Sequence, residues 1–470
     1  MTFVGQEGVT VDFDDDGVLG ASDLAALTQV MLGATSLNSL PDGMADFNKD
    51  GDTNILDLIA FKKFLAPVNT YAKSGSLNLG MQEHLLESDG SFVDNTKTAA
   101  YIADASATMG ANVYRLSKPI HSLFYVTSTN GVTVATENMT QFKGMVAALT
   151  AQGINNILYV TDAFMLPYGY SDPSVNHNKT VPTPGTQDYE DWLTVNANAF
   201  AALATEVPEI KFFEPFNEIN LTTTGLEKPG IPWDASESVA ANYKYTVAEK
   251  AGIMADLCWY VSRAVKGVDA ANQVTTPSIT VGTESIIENN FLSAFYNAID
   301  SGAHPAFKAA GDKRADNYFT IVNIHAYPEY VTGSSSQDTK VNNIASMISS
   351  NIYSVMQAHN DGGSRVWLTE TGVSIFGSRT ESNGASLLSK FLNKINTNMT
   401  YIDTVIFYKV ADASASSSIT EPEKKFGLFY AGDASSNAYG AKQTAKTVYS
   451  FFHSGSTDYS ALTALTNRYN

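Results

Sequence analysis

The chain has 470 residues, and its 48 acidic side chains outnumber 29 basic ones, for a formal net charge of −19 at pH 7. Nucleic acids and anionic membranes attract positively charged surfaces, so this charge argues against either as the main partner. Hydrophobic residues make up 44% of the chain, enough for a large core, yet no apolar run is long enough to span a bilayer. The single cysteine, Cys258, excludes an internal disulfide bond and a cysteine-based zinc site.

Acidic residues are concentrated at the N-terminus, where residues 1–70 carry eleven acids and three bases. The pattern of Asp12–Gly17 recurs 34 residues later in Asp46–Gly51, and each copy runs on to a further aspartate. Alternating oxygen-bearing side chains in a tight loop can converge on one calcium ion, and the glycine permits the sharp turn. A solvated turn is the alternative for a single cluster, but two copies in the same register favour calcium. The predicted ligands are Asp12, Asp14, Asp16 and Asp23 in the first loop, and Asp46, Asn48, Asp50 and Asp57 in the second.

This duplicated loop–helix unit resembles the dockerin type I module of cellulosomal enzymes. The resemblance covers about residues 8–66, and it implies two bound calcium ions and attachment to a cohesin domain on a scaffold protein. The positions that type I dockerins use for recognition hold Ala21-Ser22 and Ile55-Leu56 here. The second pair is apolar where hydroxyl residues are usual, which leaves the cohesin specificity open. A calcium-stabilised spacer without a partner is the alternative.

A different pattern begins after the linker predicted at residues 67–76, where short apolar runs alternate with longer amphipathic ones. Eight such pairs are typical of an α/β chain folded as a (β/α)8 TIM barrel with enlarged loops, here predicted over residues 77–470 beside an α-helical dockerin at 1–66. A doubly wound open sheet would alternate similarly, but no glycine-rich phosphate loop follows the first strand. The predicted strands are 77–81, 112–116, 156–160, 210–216, 278–282, 319–325, 365–369 and 404–410, and the helices lie near 95–109, 139–152, 189–206, 241–266, 289–302, 338–359, 382–397 and 438–453.

Two of the predicted strands end on a glutamate, Glu218 after the fourth and Glu370 after the seventh. A carboxylate at the end of an apolar strand is costly unless it has polar partners or a chemical task. Chemistry in such barrels takes place at the carboxyl ends of the strands. Two carboxyl groups about 5–5.5 Å apart across a sugar are what retaining glycoside hydrolysis requires. Ordinary strand-end carboxylates held in salt bridges are the alternative.

The pair of Asn217-Glu218 on strand four and Glu370 on strand seven resembles the clan A glycoside hydrolases. That resemblance implies Glu218 as the general acid/base, Asn217 as a ligand of the sugar 2-hydroxyl and Glu370 as the nucleophile. It also implies that Arg115 steadies the nucleophile, that Tyr327 donates to it and that His325 contacts the substrate. Three further sugar ligands are expected at the loops after strands three, four and five, with purely structural roles as the alternative: Asp162, Trp233 and Glu284.

The sequence also departs from the family 5 cellulases of this clan. They usually carry a histidine near the end of strand three and a tryptophan at the end of strand eight, where this chain has Asp162 and Tyr408-Lys409. Residues 425–429 and 438–442 look more like the closing turn and helix of families 39 and 51. The sequence therefore predicts the clan and leaves the family open.

Together these patterns predict a secreted retaining β-glycoside hydrolase that cleaves plant cell-wall glucan, mannan or xylan and is tethered to a scaffold. No catalytic cofactor is expected, and Met1–Thr10 lack the features of a signal peptide, so the chain is expected to begin after a removed one. An exo-acting β-glycosidase on oligosaccharides is the alternative within the enzyme class. A non-catalytic carbohydrate-binding or adhesion protein is the alternative outside it.

Overall fold

The structure is a computed structural model that describes residues 4–5, 9–10, 28–29, 77–83, 98–170, 179–223, 226–230, 243–301, 315–331, 336–419 and 421–470. The eight predicted calcium ligands, the cohesin-recognition positions, the linker and Trp233 lie outside the described residues. In the N-terminal region, Val4–Gly5 pairs with Val9–Thr10 in an antiparallel ladder. The described residues from 77 onward form the barrel with its helices and loops.

Eight parallel strands form the barrel, and each predicted strand is present. They follow apolar runs because both faces of each strand are buried, one by the barrel interior and one by helices. The strands are β1 Asn78–Glu83, β2 Val113–Ser117, β3 Asn156–Val160, β4 Ile210–Glu214, β5 in two parts at Gln273–Val274 and Ile279–Val281, β6 Ile321–Ala326, β7 Arg365–Thr371 and β8 Ile402–Tyr408.

The two parts of β5 close the barrel. The first part pairs with β4 and the second with β6, and the remaining strands follow in chain order between them. Between the two parts, the amide of Thr276 donates to the carbonyl of Ile321 at 2.8 Å, and Thr275 forms a parallel bridge with the same residue. Sequence analysis predicted only the second part of β5, because the first contributes just two residues. The predicted TIM barrel is confirmed.

Helices surround the barrel at the predicted places, and several begin at hydroxyl residues. Five helices have a Ser or Thr N-cap whose side chain accepts from the backbone N–H three residues later, at Thr98, Thr186, Thr246, Ser336 and Thr380. The helices are α1 Ala99–Thr108, α2 Thr136–Ala151, α3 Gln187–Glu206, α4 Val247–Val268, α5 Phe291–Ser301, α6 Gln337–Ile348 with continuations Ser349–Tyr353 and Ser354–Ala358, α7 Glu381–Asn398, α8 Gln443–Phe452 and α9 Ser460–Tyr469.

Short elements that the sequence analysis did not predict occupy the connections. Phe124–Val126 and Val132–Val134 form a hairpin after β2, and α9 packs on α1 through the rings of Tyr469 and Tyr101. The other short elements are the helix Ile120–Leu123 and the 3-10 turns Ala315–Asn317, Pro328–Tyr330 and Glu423–Lys425. None of the helices in the described part of the chain combines the length and apolar character that a bilayer crossing needs.

The barrel interior has an apolar floor. Its cluster is separate from the larger core between strands and helices, and the ring of Phe212 lies 4.8 Å from that of Trp367 across the barrel. Gly80 on β1 leaves room for Ile406, since a Cβ there would lie 2.6 Å from that side chain. The floor consists of Val113, Leu158, Phe212, Ile321, Trp367 and Ile406. Buried polar side chains lie above this layer toward the strand ends, and that is where the candidate site lies.

Candidate active site

A buried polar layer lies directly above the floor. Side chains alternate along a strand, so the residue two positions after a floor residue faces the same interior. On β2 this residue is Arg115, on β4 it is Glu214, and on β1 it is Gln82, two positions after Gly80. All three side chains are at most 1% exposed. The regular pleat of three strands therefore brings a cation, a carboxylate and an amide together.

Arg115 is the hub of this layer. Its Nε and Nη2 donate to the two oxygens of Glu214 at 2.8 and 2.7 Å, a bidentate pair. Its Nη1 donates to the Oε1 atoms of Gln82 and Glu370, and Nη2 also donates to Asn217 Oδ1 at 2.7 Å. One guanidinium thus connects the ends of β1, β2, β4 and β7. The predicted proximity of Arg115 to Glu370 is present in the structure.

A bulge turns Glu370 toward the mouth of the barrel. Along β6 and β7, Ile324 pairs with Leu368 but His325 pairs with Glu370, so Thr369 is an extra residue on β7. The extra residue shifts the alternation of side chains by one position. Directly after this site, a Cβ on Gly372 would lie 2.4 Å from the carbonyl oxygen of Tyr408, so only glycine lets β7 end this close to β8.

Glu370 is surrounded by hydrogen-bond donors. Gln82 Nε2 donates to its Oε1 at 3.0 Å, and the hydroxyl of Tyr327 donates to its Oε2 at 2.7 Å. His325 Nδ1 lies 3.4 Å from the same Oε2. Burial would raise the pKa of Glu370, but the interactions with His325 and Arg115, together with these hydrogen bonds, hold that pKa well below its usual range. Glu370 is therefore an ionised carboxylate across the neutral pH range.

Tyr327 remains a donor under the same conditions. Burial and the nearby carboxylates of Glu370 and Glu218 raise the pKa of its phenol well above the usual value. The hydroxyl therefore keeps its proton and donates a hydrogen bond to Glu370.

Glu218 is held in a different way. It follows the end of β4 with a left-handed backbone, φ 47°, a conformation that a residue other than glycine adopts at some cost. Its amide donates to Ser278 Oγ at 2.8 Å, and its Oε1 accepts from Thr280 Oγ1 at 3.1 Å. His325 Nδ1 lies 3.0 Å from the same oxygen. Hydroxyl groups of the β5 segment thus position the carboxylate.

The two glutamates face each other across a short gap. One oxygen of Glu218, one of Glu370 and a ring nitrogen of His325 all lie within 4.8 Å of one another. Three such ligands are able to hold a metal ion, but the guanidinium of Arg115 already supplies positive charge beside Glu370. Two carboxylates this close, one ionised and one more open to solvent, suit a double displacement on a sugar.

The other predicted ligands are placed less tightly. Asn217 Oδ1 accepts from Arg115 and from Ser278 Oγ, the latter at 3.3 Å, so its amide group is fixed beside Glu218. Asp162 is exposed after β3 and interacts electrostatically with His121. Glu284 is exposed after β5 and interacts with Tyr330. The roles of both as sugar ligands stay predictions.

Several residues of the site were missed or left without a role by the sequence analysis. Gln82 stands near the end of an apolar strand, as Arg115 does, and this position is the signal that could have pointed to it. Glu214 lies within the predicted fourth strand, and the structure shows it bound to Arg115. Ser278 directly precedes the second part of β5 and Thr280 lies within it, and small hydroxyl residues there give no distinctive signal.

Comparison with known proteins agrees with this architecture. A double mutant of the β-glucosidase from Trichoderma harzianum aligns with 11% identity and a TM-score of 0.54, covering 81% of this chain and 99% of its own. A Thermotoga maritima β-glucosidase in complex with cyclophellitol gives 10% identity, a TM-score of 0.53, and coverage of 83% and 100%. A GH5 xyloglucan-specific endo-β-1,4-glucanase from a metagenomic library aligns with 11% identity and a TM-score of 0.50. The alignment covers 83% of this chain and 99% of the glucanase. Identities this low show the fold alone. No curated protein sequence matches the chain.

Family models match two parts of the sequence. The model described as cellulase (glycosyl hydrolase family 5) matches residues 76–405, more than half of the chain, and the dockerin type I domain matches residues 10–66. Both resemblances are thereby confirmed, at the level of the clan for the barrel. The strand-end motifs are shared across the clan and therefore left the family open. The match to the family 5 model resolves it. The chain belongs to glycosyl hydrolase family 5 and carries an N-terminal dockerin type I domain.

Proposed function

We propose that this glycoside hydrolase cleaves a β-linked plant cell-wall polysaccharide internally by double displacement, with Glu370 as the nucleophile and Glu218 as the general acid/base. The observation that carries the proposal is the contrast between two facing carboxylates, one held ionised by a buried arginine and the other positioned by hydroxyl groups. Glucan, mannan and xylan are the candidate polymers.

The first half of the reaction forms a glycosyl-enzyme. The carboxylate oxygen of Glu370 attacks the anomeric carbon while protonated Glu218 gives its proton to the departing glycosidic oxygen. The carbon–oxygen bond to the leaving sugar breaks as the ester bond to Glu370 forms. Asn217, fixed by Arg115 and Ser278, is placed beside the acid to bind the 2-hydroxyl.

The second half returns the enzyme to its starting state. Glu218, now ionised, removes a proton from water, and the water oxygen attacks the anomeric carbon. The ester bond breaks and Glu370 leaves as a carboxylate, which the donors from Arg115, Gln82 and Tyr327 stabilise. Two inversions give net retention of configuration.

Exposed aromatic rings support the polymer as substrate. Tyr125, Tyr168 and Phe376 are 60%, 62% and 47% exposed. They lie in the loops after β2, β3 and β7, on the face of the barrel that carries the site. Aromatic faces stack on sugar rings, so these residues offer contacts for sugar units beyond the cleavage point. An exo-acting enzyme on short oligosaccharides has less use for such contacts.

The experiment is reducing-sugar release from insoluble glucan, mannan, xylan and galactan, with wild type beside Glu370→Gln. We expect turnover of one polymer, mixed oligomers at early times and no turnover by the variant. A single small sugar as the early product would overturn internal cleavage. No turnover of any polymer or aryl glycoside by the wild type would overturn the hydrolase assignment of this site.

For the N-terminal region we propose a module at residues 1–66, a linker at 67–76 and the catalytic domain at 77–470. The matched ranges 10–66 and 76–405 support this division. Dockerin type I domains generally bind calcium. We expect two ions, one held by Asp12, Asp14, Asp16 and Asp23 and the other by Asp46, Asn48, Asp50 and Asp57. The module would attach the enzyme to a cohesin domain outside the cell.

Calcium titration calorimetry on the whole protein tests this proposal. Two ions are expected for the wild type and one for the paired variant Asp12→Ala/Asp16→Ala. An unchanged stoichiometry in that variant would contradict the ligand assignment. Retention on an immobilised type I cohesin only when calcium is present would support the attachment.

A further inference from the structure

We propose that Glu423, on the loop after β8, is a third carboxylate of the active site and binds a hydroxyl group of the sugar that Glu370 attacks. This inference rests on the proposed hydrolase function and adds to it a residue that governs substrate choice. The mechanism above does not use Glu423, and its position and contacts are those of a substrate ligand.

Glu423 lies beside the catalytic pair. It opens the 3-10 turn Glu423–Lys425 and forms a side-chain hydrogen bond with Tyr408, the last residue of β8. Its carboxyl group interacts electrostatically with Glu370 and Glu218, and with Lys409. The contact with Tyr408 fixes it at the mouth of the barrel, next to the catalytic carboxylates.

The loop that carries Glu423 is firmly anchored. Phe426, three residues later, packs its ring 5.6 Å from that of Tyr408 and 5.4 Å from that of Tyr327, the donor to Glu370. The Ile375 amide donates to the Lys425 carbonyl at 3.1 Å, which ties the loop to the segment after β7. Two further bonds hold it, from Ser374 Oγ to the Pro422 carbonyl at 2.8 Å and from the Leu428 amide to the Lys409 carbonyl at 3.1 Å. Glu423 is therefore held in one place relative to Glu370.

The surroundings of Glu423 disfavour its charged form on balance. Burial raises the pKa of Glu423, and Glu370 and Glu218 raise it further, against the opposing hydrogen bond from Tyr408 and the charge of Lys409. Sugar hydroxyl groups donate strong hydrogen bonds to a charged oxygen. Burial raises the pKa of the Tyr408 phenol well above its usual value, so the phenol keeps its proton. It therefore donates a hydrogen bond to the Glu423 carboxylate. A bound sugar would supply further donors.

Its location on the β8 side separates Glu423 from the two catalytic roles. Glu218 and Glu370 lie at the ends of β4 and β7 and share His325 between them. Glu423 therefore contacts the glycone from another direction, where it distinguishes sugars by the presence and orientation of one hydroxyl.

The test compares Glu423→Gln with wild type on the aryl β-glycoside that the wild type cleaves best and on its 3-, 4- and 6-deoxy analogues. For wild type we expect kcat/KM to fall about 10–100-fold on one analogue, the usual range for a lost hydrogen bond to a charged group. The variant should show a similar loss on the parent glycoside and little further loss on that same analogue. Glu421→Gln, an exposed glutamate of the same loop, is the matched control and should behave as wild type.

An equal loss on the parent and on every analogue would indicate a structural role and overturn the inference, as would full activity of Glu423→Gln. If the Gln variant does not fold, Glu423→Asp keeps the charge but shortens the reach, and the same selective loss is expected of it. Wild-type cleavage of no polymer and no aryl glycoside would instead overturn the hydrolase proposal, and the inference with it.

Discussion

The ends of β4 and β7 carry the same residue type in opposite environments. The side chain of Glu370 is 10% exposed and accepts from an arginine, an amide and a phenol, whereas that of Glu218 is 23% exposed and accepts from Thr280. Both lie near the same nitrogen of His325. The two glutamates are chemically identical, so their neighbouring side chains must determine which one acts as the nucleophile and which as the acid/base.

The backbone reaches the two positions by different routes. Glu370 stays within a strand and is turned inward by a bulge at Thr369. Glu218 has left its strand and adopts a left-handed conformation held by Ser278. A strand position brings Glu370 close to the buried Arg115, while a loop position leaves Glu218 nearer to solvent, where the leaving sugar and water must approach it.

The largest expected effect comes from removing the nucleophile. Glu370→Gln should lower turnover by at least ~10⁴-fold on both polymers and activated aryl glycosides, because no other group forms the covalent bond. Sodium azide added to Glu370→Gly should restore turnover with an α-glycosyl azide as product, as identified by NMR. Substantial residual activity of Glu370→Gln on a dinitrophenyl glycoside would contradict the assignment.

Loss of the acid/base should depend on the leaving group. Glu218→Gln should lose about 10²–10⁴-fold on the polysaccharide, since the sugar alkoxide requires a proton to depart. On a 2,4-dinitrophenyl glycoside the formation of the glycosyl-enzyme should be nearly unaffected, because dinitrophenolate departs without one. Stopped-flow measurement of the dinitrophenolate burst checks this. An equal loss on both substrates would indicate that Glu218 is not the acid.

Tyr327→Phe should reduce, but not remove, the stabilisation of ionised Glu370 that distinguishes it from Glu218. The variant lacks one donor to ionised Glu370, so the pKa of that carboxyl should rise, and the acid limb of the kcat/KM profile should move to higher pH. A loss of about 10-fold at the optimum is expected for one such hydrogen bond. Tyr330→Phe, whose ring lies 5.7 Å from that of Tyr327, is the control and should leave the acid limb in place. A shift of the limb to lower pH would reverse the proposed sign.

The smallest effect is expected on the Glu218 side. Thr280→Val keeps the shape of the side chain and removes one neutral hydrogen bond to Glu218, so a loss of about 2–10-fold is expected. The loss should appear with poor leaving groups and vanish with dinitrophenyl glycosides. A change in the nucleophile's acid limb in this variant would show that the two environments are less separate than described.

Much of this site could be predicted from residues at the ends of apolar strands, taken together with the resemblance to the clan. Arg115, Glu218, His325, Tyr327 and Glu370 all stand at the ends of apolar strands, and the structure brings all five together. The bulge at Thr369 and the left-handed turn at Glu218 could not be predicted, since both depend on pairing between distant strands. The two-part β5 and the loop of Glu423 depend on tertiary contacts in the same way.

The predicted sugar ligands in exposed loops are harder to judge from sequence than the buried residues at the strand ends. A sequence pattern shows that Asp162 and Glu284 follow strands, but a loop decides how far its side chains lie from the sugar. Their exposure in the structure agrees with a rim position and assigns them no partner in the catalytic cluster among the described residues.

The most direct test of the division of roles is to trap the glycosyl-enzyme. The protein is incubated with 2,4-dinitrophenyl 2-deoxy-2-fluoro-β-glycosides of glucose, mannose and xylose, and peptic peptides are mapped by mass spectrometry. We predict a single label on the peptide that contains Glu370, with one equivalent of dinitrophenolate released. A label on the peptide that contains Glu218, or hydrolysis of the parent glycoside to the inverted sugar without a label, would contradict the account.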